Sequence, residues 1–547
     1  MISLVNAQTF RARYLEEILD HAGLPWSHFD GDHLEGVIVV HAGSPLESEV
    51  RERITASVER GAALVTVGGT AGFDNLVGAR DGDSLPEGYI VNHSKSHVIT
   101  TVAHEVLHVF EGRSLRASSG SALADVENGG SAIVVNRPGE GATVAIGPDI
   151  VWSVAHIQTG ISVTQDADPS PDGTALLNEG ILKAEDGMVL DWHRDRQQTW
   201  DGTPLPTDML GLDANFPNGD TPWFSVPIAD ELRDILLRSI AWAAAETKMP
   251  LAMVDIWPEG IDAVGTISHD SDLNIDDSAH RALWLLWRAG VKSTWCHMWG
   301  PNYQDVYDES TFQKVTDAGH EFAMHYNAFD KDGGSWGQDH FRWQLNFVKN
   351  ESGIEDLTSN KNHYTRWEGH TEFFHWLLEE GFTLDQSRGP SKKGTVGYPL
   401  GSSLPWKPMD AETGKILNIY ELPFQFQDLW LTTPPYMRKT TIEQAIKHRG
   451  VAHFLFHQVH LLRQDSVAEE FLNTIEVGRE AGLEWWTSRE IATWETARRE
   501  ISLSINGDSL SIQNADTDAK AVVLEMVHDG STGEFERFGQ QWRKAKA

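Results

Sequence analysis

The sequence predicts an α/β protein, and three observations carry that reading. Short apolar runs bounded by glycine alternate with helical spacing up to about residue 245. A second strand–helix alternation fills roughly the next 240 residues, the length of a (β/α) barrel. From about residue 501 the texture changes to period-two alternation around Asn506-Gly507, a hairpin signal. These breaks divide the 547 residues into 1–247, 248–499 and a small β-rich appendage at 500–547.

In the first region, 36–42 is an apolar run suited to a buried parallel strand. Residues 44–61 have helical spacing and a glycine stop, 63–70 form a strand ending in glycines, and 139–147 turn into a further strand. Residues 98–102, Val-Ile-Thr-Thr-Val, are β-branched and read as a strand. Residues 167–222 are rich in Asp, Pro and Gly and predict a long loop, before a helix over 230–247. In the second region the candidate strands are 263–269, 291–297, 321–326, 381–387, 416–422, 451–459 and 483–486. Polar residues gather at the C-terminal ends of these strands, where barrel enzymes place their chemistry.

Composition excludes several classes. Lys and Arg number 44 against 80 Asp and Glu, a net charge of −36 that repels nucleic acid and anionic membranes. No apolar run approaches ~18 residues, so no membrane helix is expected. The first residues lack a basic head followed by an apolar stretch, which predicts a cytoplasmic protein. The single cysteine, Cys296, excludes an internal disulfide framework and a Cys-rich zinc module. The 21 tryptophans suit either sugar stacking or large buried anchors.

Four segments carry candidate chemistry. Asp270 and Asp272 end the first barrel strand, two residues apart, so one carboxylate can bind a metal and the other act as a base. His325 ends the 321–326 strand. Residues 359–369 mix polar and aromatic groups unlike a packing segment, and 453–460 brings His457 and His460. Any one such histidine has a ready structural explanation; their joint placement at successive strand ends favours a site.

Residues 260–498 resemble the polysaccharide deacetylase (chitooligosaccharide deacetylase-like) family. The resemblance rests on Thr266-Ile-Ser-His-Asp-Ser-Asp, Ser293-Thr-Trp-Cys-His-Met, Asp317-Ala-Gly-His-Glu-Phe-Ala-Met-His, Phe454-Leu-Phe-His and Trp485-Trp-Thr-Ser-Arg-Glu-Ile-Ala-Thr-Trp. It implies a distorted (β/α) barrel, one divalent metal, and hydrolysis of an N- or O-acetyl group. Carried over by position, Asp270 is the general base, Asp272 and His325 are metal ligands, and His457 is the general acid. The expected ion is zinc, which suits mixed carboxylate and imidazole ligands.

One position departs from the family. Its second metal histidine follows the first by four residues, and here that place holds Phe329. His363, near the expected end of the next strand, is the chosen replacement, with His340 and Asp330 as alternatives and loss of the metal as a third outcome. Arg366, Trp367, Asp385 and Arg388 are candidates for orienting the substrate or the acid–base pair; an ordinary loop salt-bridge set is the competing account. His460 competes with His457 for the acid role, but in a strand residues three apart face opposite ways, which predicts that only one faces the site.

His104-Glu-Val-Leu-His108 matches the zinc protease pattern, with Glu127 at a conceivable third-ligand spacing. The strand expected before it argues against the required helix, so this reading is rejected. Residues 1–247 instead resemble the flavodoxin-like fold of class I glutamine amidotransferase-like proteins, through 59–69 and 139–147. With no cysteine before Cys296, amidotransfer chemistry is excluded there, and the region is expected to cover the barrel mouth. The expected function is a metal-dependent hydrolase that removes an acyl group, most simply acetyl, from a saccharide. Alternatives are C–N hydrolysis of a non-sugar amide or ureide, and a saccharide-binding protein with a degenerate metal site.

Overall fold

The computed structural model describes residues 1–545 apart from 32–33, 35, 172–179, 200–221, 273–274, 300–306, 392–393, 508, 515–519 and 529–530. Much of the expected 167–222 loop therefore lies outside the described residues.

Five parallel strands form the core of the first region: β1 (Ile2–Val5), β2 (Trp26–His28), β3 (Val37–His41), β4 (Ala63–Val67) and β5 (Ala142–Ile146), in the order β2-β1-β3-β4-β5. Strand residues alternate between faces. Leu4 and Val39 pack with Leu15 and Ile18 of α1 (Tyr14–Ala22), while Val5 and Val40 pack with Ile54 and Val58 of α2 (Ser48–Glu59). Helices α3 (Ile150–Thr159) and α4 (Ile228–Thr247) lie on the α1 face.

The flavodoxin-like expectation of a parallel sheet covers only this half. Beyond β5 the sheet runs on antiparallel through residues 79–136, to 11 strands in all. Short turns such as the one at Gly129-Gly130 join these strands directly, so no crossover helix is needed. Residues 98–102 are turns, not the expected strand. The hydroxyls of Thr100 and Thr101 bond back to the carbonyls of Ser94 and Lys95 at 2.8 and 2.9 Å, which closes a turn that β-branching alone would disfavour.

The second region is a curled parallel sheet of nine strands: β6 (Ala263–Asp270), β7 (Thr294–Met298), β8 (Glu321–Tyr326), β9 (Ser359–Asn362), β10 (Leu384–Asp385), β11 (Tyr420–Glu421), β12 (Phe426–Gln427), β13 (Val451–Leu455) and β14 (Leu483–Trp485). The order is β11-β10-β9-β8-β7-β6-β13-β12, with β14 also on β6. The two edge strands, β11 and β12, are the two ends of one segment, 420–427. Between them, Leu422 N donates to Asp385 O and Gln425 N to His453 O, so this segment spans the gap and curls the sheet toward closure. Gly265 on β6 admits the Trp485 ring of β14; a Cβ there would meet it at 2.8 Å.

Barrel interiors are usually filled by branched apolar side chains. Here β9 reads Ser-Asn-Lys-Asn and all four residues are buried. Helices α5 (Gln338–Ser352), α6 (Met437–His448) and α7 (Gln458–Arg463) lie among those following the strands. No helix among the described residues is long and apolar enough to cross a membrane.

The tail forms the expected hairpin, Ser502–Asn506 with Ser509–Gln513. Its further strands do not stand alone: Val523–Met526 pairs with Ala252–Val254, and Leu524 and Trp542 enter the core of the first region. The start of the second region, at Ala252–Val254, is thus partly covered by the C-terminal strands.

Candidate active site

The site lies at the C-terminal ends of the barrel strands. Asp270 is the last residue of β6 and Asp272 follows two residues on; His325 stands near the end of β8 and His363 directly follows β9. Parallel pairing places His325 opposite Lys361, and β9 therefore delivers His363 to the same rim. His325 Nε2 lies 3.3 Å from Asp272 Oδ1, and His363 Nδ1 lies 3.4 Å from the same oxygen. His325 and His363 are fully buried.

These separations fit a metal. Ligand atoms around a tetrahedral ion with bonds of about 2.0–2.1 Å stand roughly 3.3 Å apart. His325 Nδ1 is 2.9 Å from the Lys361 carbonyl, which fixes the ring and turns Nε2 inward. Neither that Nε2 nor Asp272 Oδ1 makes a hydrogen bond, although both are buried. Burial opposes the charge on Asp272, but His363 and His325 overcome it and hold the carboxyl well below the usual range. Burial likewise opposes the His325 imidazolium, and Asp270 with Asp272 pulls its pKa up.

A second group, Asp428, His457 and His460, also converges. Its distances differ in kind. His457 Nδ1 and His460 Nδ1 lie 2.6 and 2.9 Å from Asp428 Oδ2, which are hydrogen-bond lengths. His457 Nε2 faces the first group, 3.8 Å from Asp272 Oδ2. Burial lowers and Asp428 raises the His457 pKa, with a net rise to about 10. Burial works against the Asp428 charge, yet the two imidazoles push its carboxyl far below the usual range.

The expectation that His457 and His460 face opposite ways fails. Strand β13 ends at Leu455, not at residue 459, and His457 is the N-cap of α7. On a helix, residues three apart share a face, so both rings meet one carboxylate.

Asp270 has a partner that the sequence reading overlooked. Lys361 Nζ lies 3.4 Å from Asp270 Oδ1 and 2.6 Å from Ser268 Oγ, with its ammonium 4.8 Å from the Phe424 ring centre. Asp428 was also missed. Lys361 sits in a polar stretch without strand periodicity, where a charged residue inside β9 is the available signal, whereas Asp428 follows the alternating Phe424-Gln-Phe-Gln427 run that marks β12.

Phe329 packs edge-on against Tyr364, ring centres 5.3 Å apart, and Tyr364 in turn lies 4.1 Å from the His363 ring. Among the described residues neither His340 nor Asp330 joins a metal-ligand group; His340 stacks on Trp343. Tyr364 and Thr365, directly after His363, have φ of 57° and 51°, and Asp428 has φ of 37°. Backbone strain of this kind collects at functional sites.

The side chains of the four candidate orienting residues are engaged with other partners, although the backbone N–H of Arg366 donates to His363 O at 3.0 Å. Arg388 is buried, donates to Thr159 O at 2.7 Å and lies 5.0 Å over the Trp367 ring, thereby binding the C-terminal end of α3. Arg366 donates to Leu182 O and Trp367 O and pairs with Glu368. Trp367 is buried, its Nε1 donating to His370 O at 3.2 Å. Asp385 accepts from Asn360 and Ser387 inside the barrel, and burial raises its pKa and, with Asp385 nearby, that of Glu421. The arrangement is a packing network. The first region does reach the barrel rim, through bridges Val163–Gly369 and Lys183–Arg366.

The protease pattern is not on a helix. His108 lies on the Leu107–Phe110 strand and is held by Asp195 at 2.7 Å and Glu87 at 3.1 Å. Glu127 is paired with Arg194.

No family model matches the sequence, and no curated protein matches it. Several solved structures are similar. A putative polysaccharide deacetylase from Mycobacterium smegmatis is 14% identical over 46% of this chain and 96% of its own, with a TM-score of 0.33. The Xyl-CE4 domain of a multidomain xylanase from the hindgut metagenome of Trinervitermes trinervoides is 16% identical over 42% of this chain and 89% of its own, with a TM-score of 0.24. A β-galactosidase from Bacillus circulans sp. alkalophilus is 13% identical over 28% of this chain, with a TM-score of 0.23; the match spans 30% of that enzyme. At these TM-scores the likenesses carry no argument about activity.

Proposed function

We propose that the protein is a metal-dependent hydrolase that removes an acyl group, most simply acetyl, from a saccharide. One observation carries the reading: Asp272, His325 and His363 converge at ligand spacing, with Asp270 Oδ2 3.8 Å from His325 Nε2 and His457 Nε2 3.8 Å from Asp272 Oδ2. Three protein ligands leave positions for substrate and water. A divalent ion held there, most suitably zinc, supplies polarisation of the acyl carbonyl and acidification of water.

The protein's own groups do the rest. Asp270 takes a proton from the attacking water. Lys361 holds the Asp270 carboxylate in place and gives it a positive neighbour. His457 Nε2 faces inward and donates a proton to the departing amine or alkoxide, while Asp428 fixes the ring through Nδ1 and stabilises its cationic form. Residues 1–247 we read as an amidotransferase-like scaffold without its nucleophile. The order of the five parallel strands and the absence of cysteine before Cys296 support this.

The test is acetate release from N- and O-acetylated oligosaccharides before and after chelation, with zinc restored. Loss of release on chelation and its recovery with zinc support the reading. Release of ammonia or amine from small amides or ureides, with acetylated sugars untouched, replaces it with C–N hydrolysis.

A further inference from the structure

The first region has a crevice of its own, lined by none of the described barrel residues. In a sheet ordered β2-β1-β3-β4-β5, the chain leaves β1 toward β2 and later returns to the other side at β3. Helix α1 packs on one face and α2 on the other, so their connections part between β1 and β3. Open α/β sheets bind ligands at this reversal, outside the carboxyl ends of the strands. A cavity of about 520 Å³ opens there, between the end of β1, the end of β2 and the β3–α2 loop. Its volume falls within the roughly 300–1,000 Å³ that small ligands occupy.

The lining identifies the class of occupant. Asn6, Gln8, Thr9 and Glu47 supply amide, hydroxyl and carboxylate groups, and Phe29 adds an aromatic face. Among the described residues the side chains of Gln8, Thr9 and Glu47 make no hydrogen bond, whereas Asn6 Nδ2 donates to Ser44 O at 2.8 Å. Asn6, in the lining, has φ of 60°, a left-handed conformation that asparagine adopts more readily than most side chains. No lysine or arginine is among the described lining residues; Arg53 rests on the Phe29 ring and donates to Gly31 O. Paired donors and acceptors with a net negative lining suit a neutral polyhydroxylated molecule and disfavour phosphates.

We propose that this crevice is a second ligand site, which binds a neutral saccharide of one or two rings independently of the barrel. The proposal does not rest on the hydrolase reading. The experiment uses the full-length protein with cellobiose, maltose and lactose as probes, and AMP and inorganic phosphate as competitors of the other class. Calorimetry reads affinity and hydrogen exchange reads location. The expected result is saturable binding of at least one disaccharide, with protection of amides in 4–9 and 45–50. The Asn6→Gly variant keeps the positive φ and so keeps the fold; its Kd should rise tenfold or more, and Gln8→Ala should weaken binding in the same direction. No protection of these segments by any of the three sugars overturns the proposal. So does tighter binding of AMP or phosphate there, or protection undiminished in both variants.

Discussion

Lys361 Nζ lies 3.4 Å from Asp270 Oδ1 and 2.6 Å from Ser268 Oγ, a hydroxyl that also meets His453 Nε2 at 2.8 Å inside the barrel. A buried ammonium beside the proposed base ties β9 to β6 across the interior, and the same strand carries His363. Base and metal ligand therefore depend on one four-residue strand.

Lys361→Met keeps the side-chain stem and removes the charge. Turnover should fall on the order of ten- to a hundredfold, while bound zinc stays at wild-type level. Steady-state kinetics with elemental analysis checks this. Unchanged kcat would remove Lys361 from the acid–base arrangement.

Asp428 serves two imidazoles, so its loss should differ from the loss of either. Asp428→Asn and His457→Ala should each lower kcat on the order of a hundredfold, whereas His460→Ala should lower it by less than about tenfold. The reverse ranking of His457 and His460 in the same assay would move the acid role to His460.

Arg388 was expected to orient substrate, and its position predicts a structural effect instead. Arg388→Leu removes the hydrogen bond to Thr159 O and should destabilise the protein by about 1–3 kcal/mol. KM should stay within about twofold of wild type. Denaturant unfolding and kinetics on the same variant separate the two roles.

His448 on α6 joins the barrel to α4, with Nδ1 2.8 Å from Asp234 Oδ2 and Nε2 3.4 Å from Glu231 Oε1. Burial opposes its charge, but the two carboxylates raise its pKa to about 9. A pKa raised on folding gives stability that is full below about 6.5 and is lost as pH rises through about 9. The contribution is on the order of 3 kcal/mol. Tm should fall between pH 6.5 and 9, and His448→Gln should flatten that slope. An equal slope in the variant would contradict the assignment.

Legibility in the sequence followed burial chemistry. Strands β6, β8 and β13 were visible because one apolar run stands at each, and Asp270 and His325 within the first two and His457 just beyond the third were visible with them. Strand β9 was not, because its Ser-Asn-Lys-Asn faces a polar interior and leaves no apolar period. Pairing with β8 and the hydrogen bond from Lys361 to Ser268 of β6 are what place Lys361. The β-branched run at 98–102 misled for the opposite reason: threonine hydroxyls satisfied a turn locally. The reach of β13 was overestimated because Val459 prolongs the apolar pattern into α7. In the first region, glycine-bounded runs revealed β3, β4 and β5 but not β1 or β2, while the antiparallel half carries no helix to mark its crossings.

The central claim is the metal site, and anomalous scattering at the zinc edge tests it most directly, on crystals of the zinc-loaded protein and of His363→Ala. The account predicts one strong peak within about 2.0–2.3 Å of Asp272, His325 and His363, and its loss in the variant. No peak in the barrel, or a peak that persists undiminished without His363, would contradict it.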